Sequence, residues 1–241
     1  MTLAAAQAAP AARTVAVEAV ALDLDGTLLH TAPDLALAAN LMLSDLERPL
    51  VAETVVMTYV GNGAARLIKR LLTGEMDGEP EAHLFEQAQA LFYRHYAEGL
   101  DVHTRLYPGV VEALQTLMQA GFRLACITNK PQQFTLPLLR TTGLHRYFDL
   151  VIGGDVLARK KPDPLPLLHV CRQFAIVPQE MAMVGDSIAD VEAARNAGCY
   201  AIYVPYGYNR GMSGEAVGAD AVIASLMDVT KIIHKKERAN A

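Results

Sequence analysis

The sequence predicts an α/β protein: a doubly wound, mostly parallel sheet with an all-α helical cap inserted near its start. Three observations carry that prediction. From Arg105 onward, short apolar runs alternate with amphipathic or mixed segments, the rhythm of a parallel sheet covered on both faces. Three apolar runs end in polar residues: Asp23 to Thr27, Thr128-Asn129-Lys130 and Gly185-Asp186-Ser187. In such sheets ligands gather beyond the carboxyl ends of the strands, so these ends converge on one rim. Finally, the stretch between the first apolar run and Tyr107 has helical pattern but no strand pattern, and it is far longer than a crossover requires.

Taken in order, the alanine-rich residues 1–14 read as a frayed tail, without the basic start and long apolar run of a secretion signal. Val17 to Leu24 reads as the first strand, at the end of an apolar run that starts at Val15. Pro33-Asp34-Leu35 opens a helix, with Thr31 available as its cap and Pro33 tolerated in its first turn. Val51 to Tyr59, Ala64 to Leu72 and Pro80 to Gly99 read as further helices, punctuated by Gly61-Asn62-Gly63 and by Thr73 to Gly78. Phe122 to Thr128, Asp149 to Gly153, Met181 to Gly185, Tyr200 to Val204 and Asp220 to Ala224 supply the remaining strands. This divides the chain into a discontinuous Rossmann-like core, 15–32 and 105–241, and a helical cap, 33–104, whose expected use is to cover the rim and exclude water.

Composition bounds the function. At 241 residues, 52% hydrophobic and 20% charged, the chain has room for a real core and is not generally disordered. A net charge of -5 offers no basic footprint for nucleic acid or anionic lipid, and no apolar run is long enough to span a bilayer. Cys126, Cys171 and Cys199 are odd in number, far apart and set in apolar segments, so buried free thiols of a cytoplasmic protein are expected. Nothing in the pattern bears on oligomeric state.

The run Asp23-Leu24-Asp25-Gly26-Thr27 holds most of the chemistry. Two carboxylates this close repel, so a metal ion, a proton on one of them, or both must offset the repulsion. Both remedies serve phosphoryl transfer: one acid attacks phosphorus while the other protonates the departing oxygen. A phosphate monoester beside two carboxylates assembles about four negative charges, and a divalent cation plus an ammonium brings that near neutrality. Each motif has a plainer reading. Asp-Gly-Thr and Thr128-Asn129 suit ordinary strand ends, Lys160-Lys161 a solvated loop, and Asp186-Ser187 a helix cap. Together these plainer readings require several coincidences.

Asp23 and Asp25, Thr128-Asn129, Lys161-Pro162-Asp163-Pro164 and Gly185-Asp186-Ser187-Ile188-Ala189-Asp190 follow one another in that order. In this the chain resembles the haloacid dehalogenase superfamily, whose phosphatases carry an Asp-x-Asp-Gly-Thr, a Ser/Thr at a strand end, a Lys and a pair of acids. The resemblance runs from about Val15 onward. It implies Asp23 as a nucleophile forming an aspartyl-phosphate and Asp25 as general acid and base. It implies that Thr128 and the Asn129 backbone bind the phosphoryl oxygens and that Lys161 balances charge. It further implies Mg²⁺ held by Asp23, Asp186 and the Asp25 backbone carbonyl, with Asp190 in the outer shell.

Asp25 speaks against a dehalogenase, because halide departs without an acid. Within the superfamily the chain is most similar to the phosphoglycolate phosphatases, through Thr27-Leu28-Leu29 leading to Ala32-Pro33-Asp34-Leu35, through Tyr59-Val60-Gly61-Asn62-Gly63, and through Tyr206-Gly207-Tyr208-Asn209. His30-Thr31 departs from the acidic or small polar pair usual there, at the junction of cap and core. Gly61 and Gly63 let backbone approach a small ligand that Asn62 can hydrogen-bond, whereas Arg66 fits a solvated helix face. The expected activity is Mg²⁺-dependent hydrolysis of 2-phosphoglycolate to glycolate and phosphate. The alternatives are another small phosphate such as a sugar phosphate, nucleotide or pyrophosphate, a β-phosphoglucomutase-like phosphomutase, or a binding module without turnover.

Overall fold

The structure is a computed structural model, which describes residues 14–208 and 211–236. The expected N-terminal tail, apart from Thr14, and Asn209 lie outside the described residues. The chain enters through β1 (Val15–Val17) and β2 (Ala19–Leu22), then a two-residue β3 (Leu29–His30). Four helices follow: α1 (Ala32–Asp45), α2 (Glu53–Tyr59), α3 (Ala64–Thr73) and α4 (Ala82–Glu98). After β4 (Arg105–Leu106) come α5 (Val110–Gln119), β5 (Arg123–Ile127), α6 (Gln132–Thr141), β6 (Leu150–Ile152), α7 (Leu165–Phe174), β7 (Met181–Gly185), α8 (Ile188–Ala197) and β8 (Tyr200–Tyr203). The described chain closes with β9 (Ala221–Val222), α9 (Val229–Ile232) and β10 (Ile233–Lys235).

The main sheet has six strands in the order β6-β5-β2-β7-β8-β9, and every pairing in it is parallel. Strand periodicity sorts its side chains to opposite faces. Val20, Leu22, Leu124, Cys126, Ala182 and Val184 join one buried cluster, packed with Leu114 and Leu117 of α5 and Leu138 of α6. Ala19, Ala21, Ala125, Ile127, Met181 and Met183 join the other, packed with Leu167 and Val170 of α7 and Ala193 of α8. Both faces are therefore apolar, which is why the strands read as continuous hydrophobic runs.

The first strand differs from expectation. It breaks at Glu18, whose N–H donates to the Glu180 carbonyl at 2.7 Å, so that β1 pairs instead with β10 in a separate two-stranded sheet. The short antiparallel pair β3–β4 also lies outside the sequence expectation; it joins the two ends of the helical segment, Leu29 opposite Leu106.

Helices α1 to α4 share a third cluster built from Leu35, Met42, Ile68, Leu71, Phe92 and Tyr96. Phe134 of α6 and Tyr208 enter the same cluster, so the helical segment rests on the carboxyl rim of the sheet. Asp34 secures its base: its carboxylate accepts hydrogen bonds from the His103 and Thr104 backbone N–H groups, each 2.8 Å, and from the Thr104 hydroxyl at 2.8 Å. All three cysteines are free and buried. Among the described residues no helix is long and apolar enough to cross a membrane.

Candidate active site

Leaving the central strand β2, the chain turns at Gly26, whose φ of +88° suits glycine. Space demands glycine there as well, since a Cβ would lie 2.2 Å from Asp186 Oδ2. Asp186 follows the neighbouring strand β7 and is held on both oxygens. Its Oδ1 accepts from the Thr27 hydroxyl at 2.9 Å, and its Oδ2 from the Tyr208 N–H at 2.6 Å.

Asp23, Asp186 and Asp190 form a buried acidic group, each offering an oxygen within 4.8 Å of the others. Lys161 reaches it from the loop before α7. Its ammonium is 2% exposed and stands 2.8 Å from Asp23 Oδ1 and 2.6 Å from Asp190 Oδ1, and it donates to the Ile127 carbonyl at 2.5 Å. Of the two adjacent lysines, Lys161 is thus the one within the acid cluster. Lys160 lies outside it and donates to the Asn62 carbonyl at 2.9 Å.

Electrostatics follow from burial. Desolvation raises the Asp23 carboxyl to about 7 against the pull of Lys161, with Asp190 and Asp25 adding repulsion. Burial, then Asp190 and Asp23, hold Asp186 well above the usual carboxylate range. Burial alone would lower the Lys161 ammonium, but Asp190 and Asp23 outweigh it and keep the charge on. Three acids sharing one ammonium leave an excess of negative charge. Asp23 Oδ1, buried beside the ammonium, also receives no well-directed hydrogen bond. A cluster of hard oxygen donors short of positive charge fits a divalent cation such as Mg²⁺.

The second acid of the pair faces elsewhere. Asp25 accepts from Lys130 at 2.9 and 3.2 Å and from the Thr31 hydroxyl at 2.6 Å, so its side chain stands outside the acid cluster. Thr31 is accordingly not the side-chain cap of α1 that its position suggested. Instead the Tyr208 hydroxyl accepts from the first N–H groups there, Thr31 at 2.7 Å and Ala32 at 2.9 Å, and lies 3.1 Å from His30 Nδ1. The unusual His30-Thr31 pair therefore contacts both Asp25 and Tyr208.

Thr128 is buried at the end of β5, and its hydroxyl accepts from the Lys130 N–H at 3.2 Å. The Asn129 amide donates to the Gly61 carbonyl at 3.0 Å and the Lys161 carbonyl at 2.9 Å, tying the helical segment to the Lys161 loop. Ser187, rather than Asp186, serves the start of α8: its N–H and hydroxyl donate to Asp190 Oδ2 at 3.0 and 2.6 Å. Asp23, Asp25, Thr128, Asn129 and Lys130 line one cavity. Gly61, Gly63, Leu35, Leu67, Phe92, Tyr96 and Phe134 form most of the remaining wall. Asn62 does not line this cavity; its side-chain oxygen accepts from Arg70 at 3.0 Å. Arg66 stands outside too, paired with Glu79 at 3.1 Å.

The family model for haloacid dehalogenase-like hydrolases matches residues 17–198, which contain Asp23, Asp25, Asp186 and Asp190 together with Lys130 and Lys161. The chain belongs to this family. Relatives sharpen the comparison. The chain is 52% identical over 219 residues to a phosphoglycolate phosphatase of Thiobacillus denitrificans, covering 91% of this chain and 96% of that protein. It is equally 52% identical over 219 residues to a phosphoglycolate phosphatase of Nitrosospira multiformis, with the same coverage. A crystal structure of a predicted phosphoglycolate phosphatase from Haemophilus somnus superposes with a TM-score of 0.84 at 36% identity, covering 90% of this chain and 97% of that one.

For this hydrolase, sequence reasoning singled out the acids, Thr128, Asn129 and Lys161 but gave no role to Lys130, Tyr96 or Tyr208. Lys130 had a signal, since it stands in the polar run that ends β5. Tyr96 and Tyr208 meet the site only through the fold.

Proposed function

We propose that this hydrolase is a Mg²⁺-dependent phosphatase that converts 2-phosphoglycolate to glycolate and phosphate. The observation that carries the reading is the placement of Asp23, 2.8 Å from the buried Lys161 ammonium and within the Asp186–Asp190 acid group, at the wall of a cavity shared with Asp25 and Thr128. An Asp23 oxygen attacks phosphorus, and the bond from phosphorus to the ester oxygen breaks. Asp25 gives that oxygen its proton, and glycolate leaves. Asp25 then takes a proton from water, whose oxygen attacks the aspartyl-phosphate, releasing phosphate and restoring the Asp23 carboxylate. Thr128 and the Asn129 backbone orient the phosphoryl oxygens, and Lys161 offsets their charge.

Asp23, Asp186 and the Asp25 backbone carbonyl would hold Mg²⁺, with Asp190 behind them. When bound, the ion supplies Lewis-acid stabilisation of the phosphoryl oxygens. Residues 33–104 serve as a cap on the core, 15–32 and 105–241, and keep bulk water from the aspartyl-phosphate.

The choice of substrate rests on the named relatives and on the wall of the cavity. Leu35, Leu67, Phe92 and Phe134 offer nothing to the hydroxyls of a sugar, which would be buried without partners. Phosphate release from phosphoglycolate, glucose phosphates, nucleotides and pyrophosphate tests the reading. Phosphoglycolate is expected to lead the panel, EDTA to stop turnover, and Asp23→Asn to abolish it. A sugar phosphate preferred well above phosphoglycolate, or an isomerised sugar phosphate as product, would reject it.

A further inference from the structure

The cavity wall contains a buried hydroxyl that the chemistry above does not use. The Tyr96 hydroxyl, on α4, belongs to a side chain 1% exposed, and no acceptor among the described residues takes its proton. The Lys130 ammonium beside it can donate but not accept. A buried phenol without an acceptor forfeits the hydrogen bond it would make in water, so such a group points to an acceptor that arrives from outside. The ring is not free to turn away. Phe92 stacks on it at 5.7 Å and 22°, and Phe134 meets it edge-on at 5.1 Å and 71°. Burial pushes the phenol up to about 12, so it stays protonated and can only donate to an anion.

The neighbouring cation adds charge to the same place. The Lys130 ammonium lies 4.6 Å from the centre of the Tyr96 ring and is held from the other side by Asp25. An ammonium carries three donors; the two contacts with Asp25 fall on one carboxylate, leaving donors for another acceptor. The place is also set by the reaction. In 2-phosphoglycolate the carboxyl carbon is two covalent bonds from the ester oxygen that Asp25 protonates. A substrate whose ester oxygen meets Asp25 thus brings its carboxylate to the groups just beyond Asp25, which are Lys130 and Tyr96. The apolar neighbours Leu35, Leu67, Phe92 and Phe134 provide no competing donor.

We propose that the Tyr96 hydroxyl and the Lys130 ammonium together seat the substrate's carboxylate, and that Tyr96 is the residue by which the helical segment distinguishes a phosphorylated hydroxy acid from an uncharged phosphate monoester. This rests on the phosphatase reading above and adds to it the groups that recognise the half of the substrate that is not transferred. Lys130 also holds Asp25, so its loss damages every substrate alike. Tyr96→Phe keeps the ring against Lys130 and removes only the hydroxyl, so it gives the cleaner test.

The experiment compares 2-phosphoglycolate with ethyl phosphate, which has a methyl group in place of the carboxylate, in the wild type and in Tyr96→Phe. The variant keeps the ring and its packing, and its melting temperature checks the fold. A hydrogen bond to a charged group supports a fall in kcat/KM for phosphoglycolate of about ten- to a hundredfold, with ethyl phosphate changed less than about twofold. Inhibition of ethyl phosphate hydrolysis by glycolate should weaken in parallel. Equal losses on both substrates would show a merely structural tyrosine, and no loss on either would show an idle hydroxyl; both overturn the proposal while leaving the phosphatase standing. A wild type that hydrolyses ethyl phosphate as well as phosphoglycolate removes both the carboxylate seat and the substrate assignment. A wild type that releases phosphate from neither removes the phosphatase reading, and the seat with it.

Discussion

Replacing Lys161 with methionine isolates the electrostatic contribution that holds the site together. The side chain keeps most of its volume but loses an ammonium that is 2% exposed, 2.8 Å from Asp23, 2.6 Å from Asp190 and bonded to the Ile127 carbonyl at 2.5 Å. What remains is two buried carboxylates and a carbonyl without their common partner. Removing one member of a buried ionic group costs about 3–5 kcal/mol. In a protein of this size 1 kcal/mol moves the melting temperature by about 2–4 °C, so a fall of about 6–20 °C is expected. The assay is thermal unfolding followed by circular dichroism in EDTA, at pH 8 and at pH 5. The sign of the pH effect follows from Asp23. Its carboxyl is raised from 3.8 to about 7 in the folded protein, so between those values the folded state holds a proton that the unfolded state has released. That proton favours folding on the acid side, and the advantage is lost as pH rises toward 7. Without Lys161 the carboxyl is raised further, because the ammonium's opposing pull is gone. The penalty is therefore largest at pH 8, above the Asp23 value of about 7 in the wild type, and narrows at pH 5. A variant that melts within about 2 °C of wild type at pH 8, or a gap that ignores pH, would refute the reasoning.

Two further substitutions separate the acids. Asp25→Asn is expected to slow phosphate release from phosphoglycolate by at least about a hundredfold and to slow p-nitrophenyl phosphate less, since that leaving group needs little protonation; steady-state kinetics on both substrates check this. Asp186→Asn is expected to raise the Mg²⁺ concentration needed for half-maximal rate by at least about tenfold while saturating Mg²⁺ restores much of kcat, as read from a metal titration of activity.

The strands of the main sheet were legible because a parallel sheet buried on both faces leaves runs such as Leu124 to Ile127 and Met181 to Val184 with almost no polar interruption. The break at Glu18 was not legible. Its local mark is slight, one charged residue in the otherwise apolar run from Val15 to Leu22, and the partner that fixes the break is the Glu180 carbonyl far along the chain. The pair β3–β4 has only two residues per strand, too few for any periodicity. At the site, Asp23, Asp25, Asp186 and Thr128 declared themselves by residue type at strand ends, and Lys161 and Asp190 through the ordered motifs of the family resemblance. Asn129 was legible in position but not in detail, since its amide bridges two carbonyls from distant loops. Lys130 was visible as a polar residue, yet its partner Asp25 lies 105 positions away. Tyr96 looked like one more aromatic residue on a helical face, and only the fold brings it against Lys130.

The two aspartates one residue apart emerge as chemically different because each is matched to its own lysine. Asp23 shares Lys161 with Asp190, and with Asp186 nearby the group has three carboxylates and one ammonium. Asp25 is the aspartate paired with Lys130, at 2.9 Å, and it also accepts a hydroxyl from Thr31. The first group is short of positive charge and calls for a divalent cation; the second is balanced and calls for none. In the proposed reaction a cation would be drawn to the Asp23 side, which would leave the Asp25 carboxylate to exchange protons with the ester oxygen and with water. The sequence motif places two acids one residue apart, but it is the lysines, one following β5 and one from the loop before α7, that on the proposed mechanism divide attack on phosphorus from proton transfer.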